Sequence, residues 1–368
     1  MRIIVITSEK TAVNLLSYEN YIFNLLLQIV KQKSFELIYF SDDLKRLPLT
    51  ENAMIVIKIS QKKYLQLFWW HNVQLPAIIK KLKADIVIYL NNFCNSFLKI
   101  PQIIVPNNYL DNTTSSLRKI KQNKNRKLLY CVKKANVIIA NSIFTKEFLI
   151  KNYKASEEKI KIIYPSANPF FQSEQFQNIE KIKEKFAAGE NFFLTTYKNS
   201  TDDLLVILKA FSAFKKWQKS SMKLVVFIVS DIYKKELAEK LKTYKYRNDV
   251  QLIEGFSTTI FIEILSAAYA FINIINNNNL QIIPEAMQRK VPVIAYSTPI
   301  LDEICGDNIL YFKAHDPKII SDEMLRIYKD ENLKSFLTKN AFLQSNKFSY
   351  NEITQQFWNV IQQTAKNK

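Results

Sequence analysis

Short apolar runs rich in β-branched residues alternate with longer amphipathic segments along this chain, and the series occurs twice. In the first half the runs are Ile3–Ile6, Glu36–Phe40, Met54–Ile59, Asp85–Leu90, Gln102–Val105 and Asn136–Ala140. Runs of this length without strict polar alternation read as strands buried on both faces, the character of a parallel sheet. Segments with helical spacing lie between them: Tyr18–Lys31, Lys63–Lys83 (interrupted near Pro76), Ser115–Lys134 and Phe144–Tyr153. Parallel strands need crossover connections, so the alternation dictates a doubly wound α/β sheet.

Residues 164–178 (YPSANPFFQSEQFQN) break the pattern with two prolines and polar residues. A second series follows, with strands at Asn191–Thr196, Lys223–Val229, Val250–Glu254, Tyr269–Ile275, Val293–Tyr296 and Ile309–Phe312. Its helices are Thr201–Trp217, Lys234–Tyr244, Thr258–Ala268, Pro284–Arg289, Pro299–Ile304, Asp316–Lys329 and Glu331–Ser345, and a last helix spans Tyr350–Ala365. A length of 368 residues fits two domains, each with its own core. The expected organisation is two tandem Rossmann-like α/β domains, 1–165 and 179–349, joined by a linker at 166–178. Residues 350–368 form a helix crossing back to the first domain. Ligands in such sheets bind beyond the carboxyl ends of the strands, and two facing sheets would enclose a central cleft.

Composition narrows the partners. The net charge of +19 favours anionic ligands or surfaces, against the plainer reading of a lysine-rich solvated exterior. No Cys/His zinc spacing or RNP-like aromatic motif is present, so no nucleic-acid partner is expected. Three widely separated cysteines, Cys94, Cys131 and Cys305, fit a reducing compartment. No apolar run approaches the length of a membrane span, and the opening MRIIVIT is too short for a signal-peptide core. The expected location is cytoplasmic, with peripheral contact at an inner membrane face as an extension. The densest basic segment, Ser115–Lys134, could face anionic lipid or could be a solvated helix face; both readings stand.

The stretch NNNNLQIIPEAM (276–287) leads from a buried strand into a helix, a turn that often holds a ligand. Downstream, Glu285-Ala286-Met287, Val291-Pro292-Val293-Ile294 and Glu303-Ile304-Cys305-Gly306-Asp307 follow in the order and spacing of family-4 glycosyltransferases, which this chain resembles. The closing KFSYNEITQQFWNVI and the segment NVIIANSIFTKEFLIKNYKASEEKIKIIYPSAN resemble the same family. The resemblance implies a GT-B fold and transfer of a sugar from a UDP- or GDP-linked donor with retention at the anomeric carbon. It implies no metal and no other cofactor. The donor would sit mainly on the second domain and the acceptor mainly on the first.

Carried onto this chain, the family's paired glutamates fall at Asn277 and Glu285. Glu285 would accept hydrogen bonds from ribose hydroxyls, while Asn277 keeps a carbonyl but lacks the charge that touches the sugar. The glycines expected nearby are Asn278 and Leu280. The family's glycine, arginine and lysine after the domain's first strand fall at Thr196, Tyr197 and Asp202, leaving Lys198 as the surviving phosphate contact. Ser230 replaces a strand-end glycine. Asn107 and Asn108 stand on the acceptor side where the family has a histidine. The two histidines, His71 and His315, are assigned structural or solvated roles.

The chain has three glycines, Gly189, Gly255 and Gly306, far below ordinary usage. That scarcity counts against a turn in which backbone must approach phosphate closely. Two functional readings therefore stand. One is a glycosyltransferase acting on a glycan or lipid-linked acceptor. The other is a pseudo-glycosyltransferase serving as a binding module or as the protein partner of an active subunit.

Overall fold

The computed structural model describes residues 1–6, 17–32, 36–41, 54–58, 73–95, 97–106, 118–167, 179–197, 201–228, 239–254, 258–274 and 281–366. The chain divides into two compact units, Met1–Pro165 with Asn351–Lys368, and Ser166–Tyr350.

The first unit contains strands β1 (Arg2–Ile6), β2 (Glu36–Ser41), β3 (Met54–Lys58), β4 (Ile86–Tyr89), β5 (Gln102–Ile104), β6 (Val137–Ala140) and β7 (Ile160–Ile162). Among the described residues they form one parallel sheet in the order β3-β2-β1-β4-β5-β6-β7. Ile3–Ile6 and Ile86–Tyr89 are almost completely enclosed, as helices on both faces require. Those helices are α1 (Tyr18–Gln32), α2 (Leu75–Lys81), α3 (Arg118–Lys134) and α4 (Ile143–Tyr153).

Pro76 was read as an interruption, but it lies in the first turn of α2, where a missing N–H costs nothing. Residues 63–72 of that expected helix lie outside the described residues. Ser142 starts α4 by accepting from the Thr145 N–H at 3.0 Å. Cys94 and Cys131 are buried and free, and burial pushes both thiols up to about 12, so they stay protonated and unreactive.

The second unit contains β8 (Phe192–Tyr197), β9 (Lys223–Ile228), β10 (Val250–Glu254), β11 (Ala270–Asn273), β12 (Val293–Tyr296) and β13 (Leu310–Phe312). They form a parallel sheet in the order β10-β9-β8-β11-β12-β13 among the described residues. Its helices are α5 (Ile179–Ala187), α6 (Thr201–Gln218), α7 (Thr258–Ala267), α8 (Ile282–Gln288), α9 (Pro299–Cys305), α10 (Pro317–Lys329) and α11 (Glu331–Ser345). A final helix, α12 (Tyr350–Lys366), belongs with the first unit from Asn351 onward. There Phe357 and Ile361 are fully buried, and Gln356 Nε2 donates to the Ile162 carbonyl at 3.2 Å.

The sequence reading missed β7 and α5. β7 is a three-residue edge strand whose centre, Lys161, is exposed. α5 (IEKIKEKFA) buries only Ala187 and sits directly after the proline-bearing break. The expected helix Lys234–Tyr244 is described only from residue 239, where 239–242 are helical.

The scarcity of glycine leaves a mark on the helix ends. Lys83, Lys154, Ala188, Lys219 and Lys290 have positive φ, and each lies one or two residues past a helix end. This left-handed position normally takes glycine, because a Cβ there crowds the following carbonyl. Lys154, at φ 53° and ψ 39°, donates its N–H to the Leu149 carbonyl and so closes α4 by that motif with a side chain attached. Lys154 is exposed, so Lys154→Gly should raise stability by about 1 kcal/mol, less the entropy glycine adds to the unfolded chain. Denaturant melts of the two proteins would measure the gain, and a loss of stability would refute the strain.

Candidate functional site

In the second sheet the strand order reverses between β8 and β11. These strands pair in register at Phe193↔Ala270, Leu194↔Phe271 and Thr195↔Ile272. Thr195 Oγ1 donates to the Ile272 carbonyl at 2.9 Å and fastens the pair. The chain leaves both strands at their carboxyl ends side by side, where a crevice opens because the crossovers run to opposite sides. Topology therefore brings the ends of β8 and β11, at Tyr197 and Asn273, side by side.

The helix following β11 carries Glu285. It begins at Ile282, two residues before the expected start, with Pro284 in its first turn. Ile282, Ile283, Pro284, Glu285, Ala286 and Met287 are all buried, so α8 is enclosed on every side. Glu285 is 3% exposed, and its Oε2 accepts from Arg289 Nη1 at 2.7 Å. Arg289 Nη1 also donates to the Glu285 carbonyl at 3.3 Å. Burial pulls the Arg289 pKa below its ordinary value, against the opposing pull of Glu285. The tyrosine at the start of α12, Tyr350, has its pKa raised, first by burial and then by the charge of Glu285.

Two glutamines fix the ends of α8. Gln281 is buried, and its Nε2 donates to the Ser166 carbonyl at 2.9 Å. Gln288 Oε1 accepts from Ser345 Oγ of α11 at 2.8 Å. The sequence reading passed over Gln281, Gln288 and Arg289. Only Arg289 had a legible signal, lying four residues after Glu285 on one helix face.

Tyr197 ends β8, and its ring does not face the crevice. It is 2% exposed and packs in the core with Phe193, Leu204, Leu208 and Ile228. Phe193 and Tyr197 are four residues apart on a strand, so both point to the face covered by α6. Thr196, on the other face, is 4% exposed.

His315 is exposed, as expected of a loop residue, and one side of its ring is packed against the protein. Its ring packs edge-on against Tyr296 with centroids 4.8 Å apart and lies 6.4 Å from Phe312. Its Nδ1 is 3.6 Å from Asp203 Oδ1 in the first turn of α6. It thus stands at the same carboxyl edge of the sheet, beyond β12 and β13.

Lys198, Ser230, Asn277, Asn278, Leu280, Asn107, Asn108 and His71 lie outside the described residues. In the basic segment, Arg126, Lys127, Lys133 and Lys134 are on the outer face of α3, while Leu128, Cys131 and Val132 face inward. Among the described residues no cluster of three His, Cys, Asp or Glu could hold a metal. No helix among them is long and apolar enough to cross a membrane.

Two doubly wound parallel sheets in tandem, the second with a buried acidic helix at its switch point, define the GT-B fold class. The solved glycosyltransferase from Rickettsia africae ESF-5 is 17% identical, with a TM-score of 0.71 over 100% of this chain and 99% of that chain. Sucrose-phosphate synthase from Thermosynechococcus elongatus is 12% identical, with a TM-score of 0.79 over 100% of both chains. Anabaena HepE in complex with UDP-glucose is 15% identical, with a TM-score of 0.76 over 99% of this chain and 100% of that chain. No curated protein matches the sequence. Residues 18–169 match the family model Glycosyltransferase Family 4, and residues 178–344 match Glycosyl transferases group 1. The chain belongs to the group 1 glycosyltransferases of GT-B fold.

Proposed function

We propose that this protein binds a UDP- or GDP-linked sugar on its second unit and transfers the sugar, with retention, to a glycan or lipid-linked acceptor. The observation that carries this reading is Glu285. A carboxylate on the buried helix that follows β11 in the chain supports this reading, since it would accept ribose hydroxyls from a bound nucleotide. A relative of the same fold, Anabaena HepE, was crystallised with UDP-glucose. In the reaction the bond from the anomeric carbon to the diphosphate breaks. The acceptor oxygen bonds to the same face, and its proton leaves with the nucleoside diphosphate. Lys198 would meet the diphosphate charge and Asn277 the sugar, with no metal or other cofactor required. The acceptor would lie against Asn107 and Asn108.

One observation favours the second reading, a fold that binds without transferring. The position aligned with the family's phosphate-gripping arginine is Tyr197, and its ring is in the core. That removes a cation from the place where charge develops as the donor breaks.

Titration with UDP and GDP followed by thermal or denaturant melts tests the proposal. A nucleotide at 100 times its dissociation constant should stabilise the protein by about 2.7 kcal/mol. No response to either nucleotide would remove the donor-binding reading. Binding with turnover of a donor sugar would establish transfer and end the second reading. Binding without turnover, with activity appearing in Asn277→Glu, would identify the lost charge as the missing part.

A further inference from the structure

The flank of α11 carries a surface groove. This surface concavity of about 480 Å³ runs along the helix past Glu331, Lys334, Thr338, Lys339 and Phe342, and Lys290 at the end of α8 closes one side. Three lysines face one acid, and that acid is already engaged. Glu331 Oε2 lies 3.7 Å from Lys334 Nζ, and its Oε1 accepts from the Tyr269 hydroxyl at 3.4 Å. Lys334 sits over the Tyr269 ring at 3.9 Å, and Lys290 over Phe342 at 5.1 Å, which orients both ammonium groups. Lys339 is exposed and has no ion pair or hydrogen bond among the described residues.

Beside this basic groove, Phe336 is 58% exposed and Leu343 is 53% exposed. They are seven residues apart on α11, so they share one stripe about 10 Å long, with Lys339 between them. Large apolar side chains left in water next to a row of cations are costly in a monomer surrounded only by solvent. A small soluble anion would satisfy the lysines and leave Phe336 and Leu343 wet. A second copy meeting face to face would bring the lysines of both chains together.

We infer that this face of α11 docks on an anionic phospholipid surface. Headgroup phosphates would enter the lysine groove, and Phe336 and Leu343 would sink into the boundary between headgroups and acyl chains.

Co-sedimentation of the full chain with vesicles tests this. Vesicles of phosphatidylcholine alone should not retain the protein, whereas equal parts of phosphatidylcholine and phosphatidylglycerol should. Each lysine replaced by alanine should weaken binding about fivefold, and the triple change at Lys290, Lys334 and Lys339 on the order of a hundredfold. The double change Phe336→Ser with Leu343→Ser should also release the protein. Lys339→Ala alone, at an exposed side chain, provides a variant whose fold is not in question, and melting curves monitor the others. Equal binding to both vesicle types overturns the inference. So does wild-type binding by the triple variant and Lys339→Ala, or binding lost only when Lys127, Lys133 and Lys134 of α3 are replaced. Self-association abolished by the Phe336 and Leu343 changes, without vesicle binding, would instead make this face a contact between copies and also overturn it.

Discussion

Arg289→Met is expected to lower stability by roughly 3–5 kcal/mol, because it leaves the Glu285 carboxylate buried without its cation. Methionine keeps most of the apolar stem of arginine, so the loss reports charge rather than volume. Both side chains are nearly enclosed, at 4% and 8% exposure, and the pair is 2.7 Å long. A surface i,i+4 pair would contribute only about 0.3–0.5 kcal/mol, so the two environments predict results that differ about tenfold. The double variant Glu285→Gln with Arg289→Met should recover much of the loss, since it removes both charges together. Denaturant melts of the four proteins give the coupling energy, and a coupling under about 1 kcal/mol would show that water reaches the pair. The same proteins separate stability from function. If Glu285 receives the ribose, Glu285→Gln should weaken nucleotide binding, with stability compared through the same melts.

The fold was legible because its signal is periodic and long. Six buried runs in each half required parallel sheets, and both sheets have the order that a doubly wound chain imposes. What escaped was short or locally ambiguous: β7 with an exposed lysine at its centre, and α5 with one buried residue. The position of Glu285 was legible from the Pro-Glu-Ala-Met turn, but its electrostatic state was not. Arg289 reads as one more cation in a lysine-rich chain until burial shows that it neutralises Glu285. His315 is exposed as expected, but its contacts were illegible for the same reason. Its loop is polar in sequence, but Tyr296, Phe312 and Asp203 come from segments far apart in the chain, and only the sheet brings them to it. Glycine scarcity was visible as a count. Its structural form, lysines in left-handed positions just past helix ends, depends on backbone angles that composition does not carry.

Tyr197 is where alignment and structure make opposite forecasts. Alignment with the family's arginine makes Tyr197→Arg a restoration, tolerated in the fold and favourable to phosphate. The structure makes it the burial of a guanidinium in the core cluster that holds Phe193, Leu204, Leu208 and Ile228. Desolvating a guanidinium in such a place costs several kcal/mol even after relaxation, so Tyr197→Arg is expected to destabilise by about 3 kcal/mol or more. A substitution at an outward-facing loop position would stay within about 0.5 kcal/mol. Thermal and denaturant melts decide between them. A variant as stable as the parent, with tighter UDP or GDP binding, would place residue 197 in the crevice. A collapsed variant would mean that any cation meeting the diphosphate must come from beyond the end of β8, beginning at Lys198. Asn277→Glu would then be the single change with which to ask whether transfer can be restored.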